Sequence, residues 1–322
     1  MVLLLTEADV NKLLDMRSVV ACLESAFREQ SEKRFQMPER QVFKATDSAV
    51  VRVMAASIPK LQTLGLKVLL GVPAKRKPQS TYFVVMLFNP EDASVLAIIS
   101  AARLTQLRTG GASAIATKYL ARKSSSKVGI LGGGVQGYGQ LEGVAACINV
   151  QEAIVFDVDE LRARSFVEKA KAELGLKVTL ARKIDELYEA DVLCTATTSV
   201  KPLISGANIR EGTHLNAIGS NAPNRQEIDP ATLLRSRVFV DEIGQVLKES
   251  GDLIIPIQAG TYRAESIAGE LADVVTGKLK GRTSDSDITT FKSVGVALED
   301  VSVSGAAYEL AMAKGMGREI EF

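Results

Sequence analysis

The period of the apolar positions changes twice along this chain, and the changes divide it. Thr6 and Asp9 have capping-box spacing, which predicts a short helix over residues 7–14. Val19, Val20, Leu23, Ala26 and Phe27 recur at helical spacing and predict a second helix ending near Glu29. The runs QVFKA, AVVRVMAASI, LGLKVLLGV, TYFVVMLFN and SVLAIISA follow, rich in β-branched and aromatic residues. Turn residues at Gly71-Val72-Pro73, Pro78 and Asn89-Pro90 separate them and predict an antiparallel meander. LTQLRTGGASAIATKYLARK returns to the helical period through Leu104, Leu107, Ile115 and Tyr119. From residue 127 strands and helices alternate. VGIL, AIVFD, KVTLA, DVLCTAT, THLNAIG and RVFVDE read as strands, which predicts a doubly wound parallel sheet. A last apolar-periodic helix is predicted over residues 296–314, and REIEF suits one more strand.

Length and composition narrow the class. At 322 residues the chain exceeds the ~250–300 at which a single core stops growing, so two domains are expected. A net charge of +1 gives no field to recruit nucleic acid or a membrane surface. Cys22, Cys147 and Cys194 lie far apart in apolar settings, without CxxC spacing. They read as buried thiols in a reducing compartment rather than disulfides or metal ligands. A single histidine leaves no His-based metal site or Ser/His/Asp triad to build. MVLLLTEADV lacks the basic and long apolar regions of a signal peptide, and no run reaches the ~18 apolar residues of a membrane helix. A cytoplasmic protein is expected.

Gly132, Gly134 and Gly137 fit G-x-G-x-x-G between the strand VGIL and a helix, with Val135 and Gln136 completing the turn. The first glycine allows a tight turn, the second a close approach of backbone to pyrophosphate, and the third close helix–strand packing. The helix N-terminus then offers amides and a positive dipole end to phosphates. Asp157 closes the next strand about 20 residues on, where an acid binds the ribose 2′-hydroxyl and repels a 2′-phosphate. NAD is therefore expected over NADP, although Arg162 and Arg164 stand near enough in sequence to serve a 2′-phosphate.

The front half carries cations in apolar runs. Strand parity in LGLKVLLGV puts Leu64, Leu66, Val68 and Leu70 on one face, and Gly65, Lys67, Leu69 and Gly71 on the other. Lys67 thus sits among small residues, and Arg52 interrupts AVVRVMAAS. Each suits an anion; each equally suits the solvated outer face of an antiparallel sheet. Arg108 lies in a helix bearing Gly110-Gly111, which signals a ligand or a close helix crossing.

LRTGGASAIATKYLAR, GILGGGVQG, THLNAIGSNAPNRQEID and FKSVGVALEDV together resemble the ornithine cyclodeaminase/mu-crystallin family, in order along nearly the whole chain. The RTG and IGS-N-P blocks are more specific than the glycine loop. The resemblance implies an α/β protein in which a Rossmann doubly wound parallel sheet is inserted in a discontinuous α+β substrate-binding and dimerisation domain. The expected boundaries are 1–118 with 300–322 for the outer domain and 119–299 for the NAD-binding one. It further implies that Arg52 and Arg108 clamp a substrate carboxylate and that Lys67 manages the proton of a 2-oxo or imino group. Thr109, Ser293 and Gly295 join the cofactor-binding set by the same analogy, and a homodimer is expected.

The sequence departs from the family's ammonia-lyase members at Asn221, in IGSNAP, where those carry an aspartate. Asparagine cannot serve as a general base, so hydride transfer at a C–N bond gains over cyclodeamination; Asn221 also suits a plain turn. Glu227 and Asp229 read as acids opening the next helix, and His214 as a strand histidine. Lys75, Arg76 and Lys77 read as a solvated loop, with a second anion site as the alternative. The expected function is an NAD(H)-dependent oxidoreductase acting on a small amino acid, a 2-oxo acid with ammonium, or a cyclic imine. Ornithine cyclodeaminase and a non-catalytic NAD(P)H-binding protein stand as alternatives.

Overall fold

The computed structural model describes residues 1–46, 49–71 and 81–321, so the run Lys75, Arg76 and Lys77 lies outside the described residues. The chain divides into two compact units, Met1–Arg108 with Val296–Phe322, and Thr109–Gly295. The first opens with β1 (Val2–Leu5), α1 (Glu7–Leu13) and α2 (Met16–Ser31). Thr6 and Asp9 make the predicted capping box. The VLLL run, too short to declare itself, is a strand because it finds two partners. It pairs parallel with β6 (Val95–Ser100), the last of a meander formed by β2 (Gln41–Thr46), β3 (Ala49–Ile58), β4 (Thr63–Gly71), β5 (Thr81–Phe88) and β6 itself. Glu7 then fixes the start of α3 (Ala102–Leu120): its carboxylate accepts from Ser100 Oγ at 2.7 Å, Ala102 N at 2.8 Å and Arg103 N at 2.9 Å. These bonds satisfy first-turn amides and set the helix that carries Arg108.

The second unit begins within α3 at Thr109. It continues through β7 (Lys127–Leu131), α4 (Val135–Cys147), β8 (Glu152–Phe156), α5 (Glu160–Leu174), β9 (Val178–Leu180), β10 (Val192–Thr195) and β11 (His214–Ala217). Then come α6 (Pro230–Arg235), β12 (Ser236–Val240), α7 (Ile243–Glu249), α8 (Gly251–Gln258), β13 (Gly269–Glu270), α9 (Leu271–Val275) and β14 (Ile288–Lys292). The sheet order is β13-β12-β14-β11-β10-β7-β8-β9, parallel throughout. The six expected strands are present, and β13 and β14 add two the pattern hid. ITTFK hides β14 because its polar residues are paired inside: Thr289 Oγ1 donates to Leu120 O, and Thr290 Oγ1 to Ser236 Oγ. The Gly110 segment of α3 lies against α4 so closely that a Cβ on Gly143 would sit 2.2 Å from Gly110 O. A close helix crossing therefore accounts for glycine there.

The chain returns to the first unit with α10 (Ala297–Lys314) and β15 (Arg318–Ile320), giving the sheet order β15-β1-β6-β5-β4-β3-β2. α10 packs on β3, β4, β5 and α2. The approach to β4 is close at two glycines: a Cβ on Gly65 would meet Met86 O at 2.7 Å and Val301 Cγ2 at 3.4 Å, and one on Gly305 would meet Thr63 Cγ2 at 2.9 Å. That packing decides which face of β4 is inside. Gly65 and Lys67 are buried, while Leu66 and Val68 are only half-buried and Leu70 is exposed. The three cysteines are free; Cys194 is buried as expected, but Cys22 and Cys147 are half-buried. No described helix is long and apolar enough to cross a membrane.

Candidate functional site

Register places Met54 opposite Lys67, and Arg52 opposite Leu69, so Arg52 and Lys67 share the inner face of the sheet. Lys67 is 1% exposed, which excludes the solvated outer-face reading. A buried ammonium needs an anion. The first turn of α10 supplies two, Glu299 and Asp300, at the helix end whose dipole favours acids. Lys67 Nζ donates to Asp300 Oδ1 at 2.7 Å, Arg108 Nε donates to that same oxygen at 2.9 Å, and Arg108 Nη1 donates to Glu299 Oε2 at 2.8 Å. Lys67 Nζ also lies 5.2 Å from the centre of the Phe83 ring.

Burial pushes the Lys67 ammonium down to about 8; Asp300 opposes the fall, while Arg108 and Arg40 add to it. Burial alone would raise Asp300, yet Arg108 and Lys67 outweigh it and hold the carboxyl below its ordinary value. Lys67 and Asp300 are thus both ionised at neutral pH, with a lysine proton that leaves only slightly above it. Glu299 and Asp300 escaped the sequence reading as site residues. Their signal was available: GVALEDVSVSGAA is apolar on every side of the helix, so acids within it must be buried and paired.

In the second unit, β7 runs into the glycine loop. Gly132 has φ +103°, and a Cβ there would meet Ala196 O at 2.6 Å; one on Gly137 would meet Gly132 O at 1.8 Å. Gly134, the N-cap of α4, brings no side chain to its first-turn amides, and a Cβ on it would meet nothing within 4 Å. Tight turn, open approach and close packing thus fall on the three glycines in the order a pyrophosphate cradle requires. Val135 is 67% exposed and Gln136 half-buried beside them. Asp157 Oδ2 accepts from Gly133 N at 2.8 Å, which joins the end of β8 to the loop. Arg162 lies 3.5 Å from Asp157 and 3.3 Å from Asp159, and Arg164 pairs with Glu160, so both arginines are engaged by acids. The carbonyl of Thr109 accepts from Gln140 Nε2 at 3.3 Å.

Ser293 and Gly295 are organised by Asp241, at the end of β12. Its Oδ2 accepts from Ser293 Oγ at 2.9 Å, Val294 N at 2.8 Å and Gly295 N at 2.7 Å. Burial raises the Asp241 carboxyl against those bonds. Asn221 is exposed in the loop after β11, where its Oδ1 accepts from Arg225 Nη1 at 3.2 Å. His214 is a buried strand histidine between Thr289 and Asn216, and burial with Arg282 pushes it down to about 3. It is neutral and structural. Asp229 caps α6 as expected, accepting from Thr232 N. Glu227 does not open that helix: it is buried and bonds to the ends of two strands. Burial raises its carboxyl, with Lys292 opposing and Asp252 adding to the rise.

The chain as a whole is similar to known proteins. The profile of the ornithine cyclodeaminase/mu-crystallin family matches residues 1–315. An alanine dehydrogenase of Archaeoglobus fulgidus is 35% identical, over 99% of this chain and 98% of its own. The structure of a Thermococcus litoralis Δ1-pyrroline-2-carboxylate reductase, solved with NADH and L-proline, is 36% identical, covers 99% of this chain and 100% of its own, and superimposes with a TM-score of 0.96. An archaeal alanine dehydrogenase, solved as a dimer with bound NAD, is 33% identical and covers 100% of this chain and 99% of its own, with a TM-score of 0.94. The chain belongs to the ornithine cyclodeaminase/mu-crystallin family.

Proposed function

We propose that this chain is an NAD(H)-dependent oxidoreductase acting on the C–N bond of a small L-amino acid or cyclic imino acid. The observation that carries the proposal is the buried Lys67–Asp300–Arg108 cluster, which holds a lysine proton at the edge of neutrality beside an anchored guanidinium. The similarity to an alanine dehydrogenase and a pyrroline-2-carboxylate reductase supports it. Gly132, Gly134, Val135, Gln136 and Gly137 would hold the pyrophosphate, and Asp157 the adenosine ribose. Thr109, Ser293 and Gly295 complete the cofactor set. The open Gly134 and the pairing of Asp157 with Gly133 N fit a dinucleotide, and the engagement of Arg162 and Arg164 by acids favours NAD over NADP. When bound, the dinucleotide supplies or takes the hydride. Arg108, held by Glu299 and Asp300, and Arg52 fix the substrate carboxylate. Lys67 Nζ gives its proton to the 2-oxo or imino group. At Asn221 an amide takes the place of a carboxylate, which speaks against water activation and cyclodeamination.

The test is NADH consumption with Δ1-pyrroline-2-carboxylate, and with pyruvate plus ammonium. Reduction requires Lys67 protonated, so its rate should fall as pH rises through about 8, while oxidation of the amino acid should rise over the same interval. No turnover on any of these substrates refutes the proposal.

A homodimer belongs to the same reading. Half-buried Val53, Leu66, Val68 and Met86 join Leu70, Val84, Phe43 (53% exposed) and Tyr82 (66% exposed) on the outer face of the first unit's sheet. An apolar face of this extent marks an interface, and the solved archaeal relative is a dimer. Sedimentation should give a species of two 34.5 kDa chains, in the reducing, cytoplasmic setting that free thiols suit; a monomer at micromolar concentration overturns this part.

A further inference from the structure

The glycine loop is not the only part of the second unit built around the carboxyl ends of the strands. Two backbone segments, residues 195–197 and Gly219, meet there at one side chain, Glu227, which is fully buried. Its Oε2 accepts from Thr195 Oγ1 at 2.8 Å and from Gly219 N at 2.7 Å, and its Oε1 accepts from Thr197 N at 2.6 Å. Thr195 is the last residue of β10, and Gly219 follows β11 by two residues. A Cβ on Gly219 would lie 2.3 Å from Glu227 Oε1, so glycine is required for the carboxylate to come this close.

Glu227 is itself held rigidly. Its N–H donates to Asp252 Oδ1 at 2.7 Å, and its carbonyl accepts from Leu203 N at 2.8 Å and Ile204 N at 2.9 Å. Asp252 Oδ2 lies 3.0 Å from the fully buried Lys292 Nζ, paired by charge but off the hydrogen-bond direction, since neither atom has a hydrogen-bond partner. That lysine sits at the end of β14, next to β11 in the sheet. A wholly buried glutamate bonded only to main-chain and hydroxyl donors of loops is a device for fixing loops.

In a parallel sheet of this kind a dinucleotide crosses the carboxyl ends at the point where strand order reverses, between β7 and β10 here. Asp157, at the end of β8, marks the adenosine side. The other nucleotide must then extend toward β10 and β11, the two strand ends Glu227 joins. We infer that Glu227 is a positioning residue for the nicotinamide half of the cofactor: it locks residues 195–197 and 219 into one floor and so sets the affinity for NADH without touching the adenosine half. This inference rests on the NAD reading above.

The test separates the two halves of the ligand. Glu227→Gln keeps the shape but turns an NH2 toward at least one of three N–H or O–H donors, releasing part of the floor. NADH binding, followed by its fluorescence well below the melting temperature, should weaken about tenfold or more, while ADP should bind within about twofold of wild type. A residue serving only stability would lower the melting temperature and leave both constants unchanged, or weaken both ligands together; either result overturns the inference. Thr195→Val removes one donor in three and should weaken NADH about threefold with ADP unaffected. It decides the matter if Glu227→Gln does not fold, and unaltered NADH binding in it then overturns the inference. Wild-type protein that binds neither ligand refutes the NAD reading instead, which keeps the two failures apart.

Discussion

Lys67→Met folds, binds NADH with the wild-type constant, and reduces its imine substrate about 10²–10⁴-fold more slowly: that is the outcome the inner face of the first sheet dictates. Methionine fills the volume of a side chain that is 1% exposed, so the packing of α10 on β4 survives. Breaking a buried ion pair is costly when it strands a charge. Here Asp300 Oδ1 keeps the bond from Arg108 Nε at 2.9 Å, so its carboxylate retains a cationic partner, although one guanidinium then serves both Asp300 and Glu299. What disappears is the group whose proton is held near neutrality, since burial sets Lys67 at about 8 and arginine does not titrate in this range. The measurement is kcat at saturating NADH and substrate, read beside a thermal melt and an NADH titration. An unchanged kcat would remove Lys67 from the chemistry.

The second large effect separates two glycines three residues apart. Gly137→Ala places a methyl 1.8 Å from Gly132 O, a backbone atom inside the turn, so the loop must move off its strand. We expect a loss of about 3 kcal/mol or more in stability and no measurable NADH binding. Gly134→Ala meets nothing within 4 Å and has an ordinary φ of −80°. Its fold and melting temperature should hold, yet its methyl occupies the approach to the backbone amides, and NADH should bind about tenfold more weakly. Thermal melts and NADH titrations of the two variants check this. Wild-type NADH affinity in Gly134→Ala would refute the cradle.

Much of this architecture was legible in the chain, because its periods are clean. The meander of β2 to β6, the parallel strands after residue 127 and the glycine loop all follow from spacing and turn chemistry. Three strands were not legible. β1 is four residues long, β13 is two, and β14 is largely polar, so each is a strand only by virtue of partners far away in sequence. Lys67 teaches a sharper lesson. Parity along β4 correctly grouped it with Gly65, Leu69 and Gly71 and apart from Leu64, Leu66 and Leu70, but parity says which residues share a face, not which face is covered. The covering was decided by α10, whose contact with Gly65 and Thr63 buries the lysine face and leaves the leucines half-open. Glu227 escaped similarly. Its position before a predicted helix offered a local role as a dipole acid, and the residues it bonds, Thr195, Thr197 and Gly219, come from the end of one strand and the loops after two.

One atom of the first unit constrains how this family member can change. Asp300 Oδ1 receives both the lysine and the arginine, so the two cations are not independent letters. Altering either one redistributes the negative charge left to the other, and the pair is expected to show strong epistasis, its double variant departing from the sum of the singles. Divergence toward a new substrate is therefore channelled: positions 67, 108 and 300 must drift as a block or stay put.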